Sequence, residues 1–123
     1  MCERNKNDNL LSIYESFFTK DNYAFSYSIE DLKKYYEMYI NHINFWKKNK
    51  TNFLSIKYEN LIKTTEATVK KIFNFLEIIY SRDLLNFQNN KSNVLTASNY
   101  QVRQKINDKS IGKSKSYESL LDL

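Results

Sequence analysis

The chain has 123 residues, enough for one domain or a piece of one with a modest core, and too few for two independent domains. Its formal net charge of +5 favours an anionic partner, but the lysines and arginines are spread along the sequence, so nucleic acid is permitted and not indicated. Cys2 is the single cysteine, which excludes an intramolecular disulfide and a cysteine-rich metal site, and no apolar run approaches the roughly 20 residues that a membrane-spanning helix needs.

Without an apolar leader at its N-terminus, the sequence is expected to be cytoplasmic, in a reducing compartment and away from membranes. Aromatic residues are abundant, with Tyr 10 and Phe 8, whereas Pro is 0 and Gly 1. Tight turns are therefore poorly encoded, and a mainly helical chain is expected.

From Asp8 to about Thr19 the residues Leu10, Tyr14, Phe17 and Phe18 recur at helical spacing, with Asp8 or Asn9 as the expected N-cap. The stretch from Asp21 to Ser28 is aromatic and irregular. Ser28 can cap a long helix whose stripe of Leu32, Tyr35, Tyr36, Tyr39, Ile43 and Trp46 is expected to be core. His42, the only histidine, lies beside that stripe without a second ligand or paired acid, which points to a structural or exposed residue.

Phe53 to Tyr58 has strand length and partial alternation. Thr65 to about Ile78 reads as a helix with Val69, Ile72, Phe73 and Leu76 inward, and Ser81 to Phe87 as another short one. Beyond Gln88 the periodicity fades. Asn89 to Leu123 is expected to be loop-like, with a short final helix at Tyr117 to Leu121. The pattern is thus four helices and one clear strand.

The late segment carries the chemistry. Thr96-Ala97-Ser98-Asn99-Tyr100-Gln101-Val102-Arg103 is followed by Lys105, Lys109, Lys113 and Lys115, and by the only glycine, Gly112. Hydroxyls, amides and open backbone N–H groups donate short bonds to an anion with several oxygens, and Arg and Lys supply the charge. A phosphate-bearing ligand is the sharp reading, and a solvated basic loop is the plain one.

Taken in order, Arg4 and Ser12, then Asn22-Tyr23-Ala24-Phe25-Ser26-Tyr27, Tyr58-Glu59-Asn60-Leu61, the Thr96 to Arg103 stretch and Ser110-Ile111-Gly112-Lys113 resemble the sulfotransferase family. The likeness is to the branch of bacterial tetratricopeptide-linked and protein-tyrosine sulfotransferases, and it covers nearly the whole chain. It implies transfer of a sulfuryl group from 3'-phosphoadenosine 5'-phosphosulfate to a hydroxyl of a protein or sugar acceptor. The implied fold of the intact family is α/β, a P-loop NTPase-like three-layer sheet. Residues 1–123 would be the C-terminal portion of one such domain, a mainly helical piece with one or two short strands.

By the same resemblance, Arg4 and Ser12, eight apart, match the pair that holds the 3'-phosphate. Arg can fork two donors onto a phosphate, and a Ser from the following helix adds a hydroxyl. Tyr58 matches a tyrosine at the end of a strand beside the nucleotide. Ser98, Gln101, Val102 and Arg103 match the loop that closes over the 3'-phosphate, and Lys113 a basic position after it. Glu59, a lone acid, is expected to support the strand end and not to act as a base. The phosphosulfate-binding loop and the general base of the family lie outside this sequence, so no catalytic residue is assigned and no activity is expected of the chain alone.

The sequence departs from the family at several positions. Relatives usually carry proline near Lys6 and Lys105, glycine near Glu77 and tryptophan near Ser114. A non-enzymatic helical module that binds an anionic partner through the basic tail is the alternative reading.

Overall fold

The computed structural model describes residues 1–16, 18, 21–49, 52–89 and 103–121. The chain is mainly helical, with two short strands, and divides into two units that are described separately. One consists of Met1–Ser55 with Lys109–Leu123, the other of Ile56–Asp108. Among the described residues no helix is long and apolar enough to cross a membrane.

In the first unit, strand β1 (Cys2–Glu3) leads into helix α1 (Lys6–Tyr14). The N-cap is Asn5, whose side-chain oxygen accepts the Asp8 N–H at 3.1 Å. This corrects the expected Asp8 start and Thr19 end: the helix begins two residues earlier and stops at Tyr14. Asn5 takes the cap because its extended backbone (φ -48°, ψ 133°) turns its amide oxygen onto the first helical turn, which frees the Asp8 carboxylate. Lys6 thereby occupies the first helical position, one that would also accommodate a proline.

Asp21–Tyr27 forms 3₁₀ turns that pack on helix α2 (Ile29–Asn49), as does α1. Ser28 is the cap that the sequence indicates, its hydroxyl accepting the Asp31 N–H at 3.3 Å. Glu30 and Asp31 in the first turn and Lys47 and Lys48 in the last complement the helix dipole. Phe25 stacks on Tyr35 with ring centroids 4.1 Å apart, and Phe18 stacks on Tyr23.

The apolar centre of this unit is Leu10, Leu11 and Leu32. The expected core stripe of α2 is buried only at Leu32. Tyr35 and Trp46 are 47 % and 38 % exposed, and Tyr36, Tyr39 and Ile43 are half-buried. The reason is length: α2 has 21 residues, about 32 Å, whereas α1 has nine and spans about 14 Å, so it covers less than half of α2.

In the second unit the expected strand shrinks to β2 (Ile56–Lys57), and Tyr58 opens helix α3 (Tyr58–Lys63). Helix α4 (Thr65–Phe75) follows after one residue, Thr64. Three threonines make this break. The Thr64 and Thr68 hydroxyls donate to the Asn60 carbonyl at 2.9 and 3.2 Å, and the Thr65 hydroxyl donates to the Leu61 carbonyl at 2.8 Å. The Asn60 carbonyl also accepts the Thr64 N–H at 2.8 Å, so the threonine hydroxyls add to the backbone bond there and supply a side-chain partner to Leu61. Of the positions expected inward on α4, Val69, Ile72 and Phe73 are half-buried, while Leu76 is exposed because the helix has ended there.

That end is a Schellman turn. The Ile78 N–H donates to the Phe73 carbonyl at 3.0 Å and the Glu77 N–H to the Asn74 carbonyl at 3.2 Å. The geometry requires a left-handed residue, and Glu77 takes it with φ 56°. A side chain in that backbone region costs roughly 1–2 kcal/mol, partly offset in glycine by a larger loss of chain entropy. The Arg82–Asn89 stretch, expected as a short helix at Ser81 to Phe87, forms 3₁₀ turns.

The strain at Glu77 predicts that Glu77→Gly raises the thermal midpoint by several degrees, equivalent to about 1 kcal/mol, whereas Glu77→Ala leaves it within about 0.5 kcal/mol. Thermal melts followed by circular dichroism would test this. Equal midpoints for wild type and Glu77→Gly would show that the turn is not strained.

Candidate functional site

The side chains that matter lie on one face of α1 and on the segment that returns to it. Asp8, Ser12 and Glu15 fall at i, i+4 and i+7, so they share a face. Because Asn5 already caps the helix, both oxygens of the Asp8 carboxylate are turned to other donors. The Gly112 N–H donates to Oδ2 at 2.6 Å and the Ser114 N–H to Oδ1 at 2.9 Å. Gly112 sits at φ 72°, where a Cβ would meet only the outer Lys115 methylenes at 3.9 Å. The glycine is therefore needed for its backbone angle and not for space. Lys113–Tyr117 then continues as 3₁₀ turns into helix α5 (Glu118–Leu121).

Two further bonds fasten the same segment. The Arg4 guanidinium donates to the Ser110 carbonyl at 3.0 Å, and the Lys113 ammonium donates to both Glu15 oxygens at 2.7 and 2.6 Å. Asp8 and Glu15 lie about 10 Å apart along the helix axis. Lys113 lies between the two N–H groups that Asp8 holds, and its side chain meets the Glu15 carboxylate.

Asp8 is 3 % exposed. Burial alone would raise the pKa of its carboxyl, but the Ser114 and Gly112 N–H groups, the Ser114 hydroxyl and the Arg4 charge together hold it below the ordinary value of 3.8. Asp8 is thus a charged, saturated acceptor at neutral pH. The open backbone donors that the late segment was expected to offer an anion are, at Gly112 and Ser114, already filled by the protein's own carboxylate.

Of the residues singled out in the sequence, Arg4, Ser12 and Lys113 lie in this unit, and the bonds to Ser110, Asp8 and Glu15 draw the two ends of the chain together. Arg4 and Ser12 are half-buried, and Lys113 is exposed. Tyr58 and Arg103 belong to the second unit, where Tyr58 is half-buried in the first turn of α3 and Arg103 is exposed. Ser98, Gln101 and Val102 lie outside the described residues. Glu59, half-buried in the first turn of α3, is placed to favour the helix dipole. His42 accepts a hydrogen bond from the Trp46 indole at 2.8 Å on the exposed side of α2, in keeping with a structural role. The described residues contain no group of three or more acids, histidines or cysteines able to hold a metal ion.

Sequence reasoning missed Asp8 as a clamp, and with it Ser110, Ser114 and Glu15. The available signal was Gly112, the single glycine, which marks a turn; its partner 104 residues away leaves no local trace.

The sequence model of the sulfotransferase family matches residues 1–82. No curated protein and no solved structure matches the chain.

Replacing Asp8 by Asn turns an amide N–H toward one of two backbone donors, and should cost about 1–3 kcal/mol at pH 7. Because the carboxyl pKa is lowered on folding, the stability it contributes is complete above the unfolded value and is lost as pH falls through the folded one. The wild type is therefore expected to lose stability below about pH 4, and the Asp8→Asn protein to lack that component. Urea melts between pH 3 and 7 would measure both, and parallel curves for the two proteins would contradict the clamp.

Proposed function

Since this chain belongs to the sulfotransferase family over residues 1–82, we propose that it is the C-terminal portion of a sulfotransferase domain that moves a sulfuryl group from 3'-phosphoadenosine 5'-phosphosulfate to a hydroxyl. The branch is that of the tetratricopeptide-linked and protein-tyrosine enzymes, with a protein or sugar hydroxyl as acceptor. The complete domain has the P-loop-like three-layer sheet of the family.

The observation that carries this reading is the bond from Arg4 to the Ser110 carbonyl, which brings the first cation of the chain to the segment containing Lys113. Arg4 supplies a planar fork of donors for two phosphate oxygens, Ser12 a hydroxyl from the following helix, and Lys113 a mobile point charge. All three can donate to the oxygens of a doubly charged ester. Tyr58, and Ser98, Gln101, Val102 and Arg103, complete the nucleotide site in the proposal.

The role of these residues is binding. They hold the 3'-phosphate end of the donor, and that remote binding energy orients the reacting sulfate at the other end. Charge stabilisation at the bridging oxygen and proton removal from the acceptor fall to groups that this sequence does not supply, and the 123-residue chain has no transferase activity of its own.

Calorimetric titration of the purified chain should show adenosine 3',5'-bisphosphate bound at least about tenfold more tightly than adenosine 5'-monophosphate. Arg4→Ala should erase most of that preference, since a charge-assisted bond contributes about 1.5–3 kcal/mol. Equal, weak, salt-sensitive binding of both nucleotides and of unrelated polyanions would instead support a helical anion-binding module. Sulfate transfer by the chain alone would refute its inactivity.

A further inference from the structure

The two carboxylates on the α1 face hold the returning segment in different ways. Asp8 is 3 % exposed and bonds backbone N–H groups, which cannot leave without unwinding the turn. The Glu15 and Lys113 side chains are 39 % and 43 % exposed, and their bond joins two flexible ends. The first contact is permanent and the second is exchangeable.

Resting on the sulfotransferase reading above, we infer that Glu15 is a built-in counter-ion for Lys113, which a nucleotide phosphate must displace. With Glu15 bonded through both oxygens, the Lys113 ammonium is engaged by the acid that follows α1. Released, the same side chain is able to turn to a ligand, while its backbone stays fixed by Asp8 on either side of the residue. A ligand with two negative charges on one phosphate outcompetes the single charge of Glu15. A carboxylate or another singly charged anion exchanges for it with little gain. Glu15 is thus a residue that sets specificity for a phosphate dianion without touching the ligand.

Glu15→Gln keeps the shape of the side chain and removes its charge. It should tighten binding of adenosine 3',5'-bisphosphate about threefold or more, because an exposed pair of this kind competes by a factor of a few. The gain should vanish when Glu15→Gln is made in a Lys113→Gln background, and thermal midpoints of all four proteins should agree within a few degrees.

Calorimetry on the purified 123-residue protein reads each outcome. Unchanged or weaker binding by Glu15→Gln overturns the inference. A gain of the same size without Lys113 also overturns it, since Glu15 would then act through general repulsion. If the natural chain shows no preference for the 3'-phosphate, the sulfotransferase reading fails and this inference fails with it. If the natural chain keeps that preference and Glu15→Gln has no effect, only the counter-ion role falls.

Discussion

A single carboxylate ties the late segment of the first unit to the helix near its start. Asp8 receives the Gly112 and Ser114 N–H groups across more than a hundred residues of sequence, and it does so from inside the protein, where an unpaired charge would be costly. The arrangement works because each partner is already committed. Asn5 relieves Asp8 of capping, Gly112 supplies the left-handed turn, and Arg4 adds a positive charge that favours the ionised form. Loss of any one of these leaves the others with unmatched polar groups.

Turns and helix ends elsewhere obey a related constraint. With no proline and one glycine, the chain must finish and start its helices with side chains. Asn5 and Ser28 cap two helix starts, the Thr64, Thr65 and Thr68 hydroxyls bond carbonyls of α3, and Glu77 is forced into a backbone region that glycine would occupy at lower cost. A segment that reads as a strand is cut short after Lys57, and a helix forms directly from Tyr58.

The same separation of local and distant effects governs the candidate site. Arg4, Ser12 and Lys113 could be picked out in the sequence by residue type and spacing against a known family, and the family match over residues 1–82 places the first two within it. Lys113 lies beyond that match. Its link to the first helix exists only in the tertiary structure, through Glu15 and the Asp8 clamp. An ammonium bonded to both oxygens of a neighbouring acid is a different group, electrostatically, from one that extends into solvent.

The sequence by itself determined the helical character, the Ser28 cap, the positions of α2 and α4, and the membership of the sulfotransferase family, because each of these is written in neighbouring residues or in an ordered series of them. Tertiary structure decided which parts of the α2 stripe are buried, where α1 begins, and what Asp8 and Glu15 hold. Burial depends on how far one helix covers another, and a carboxylate has no preferred donor until folding presents one. Asp8 and Glu15 therefore acquired their roles only when the tail returned to α1.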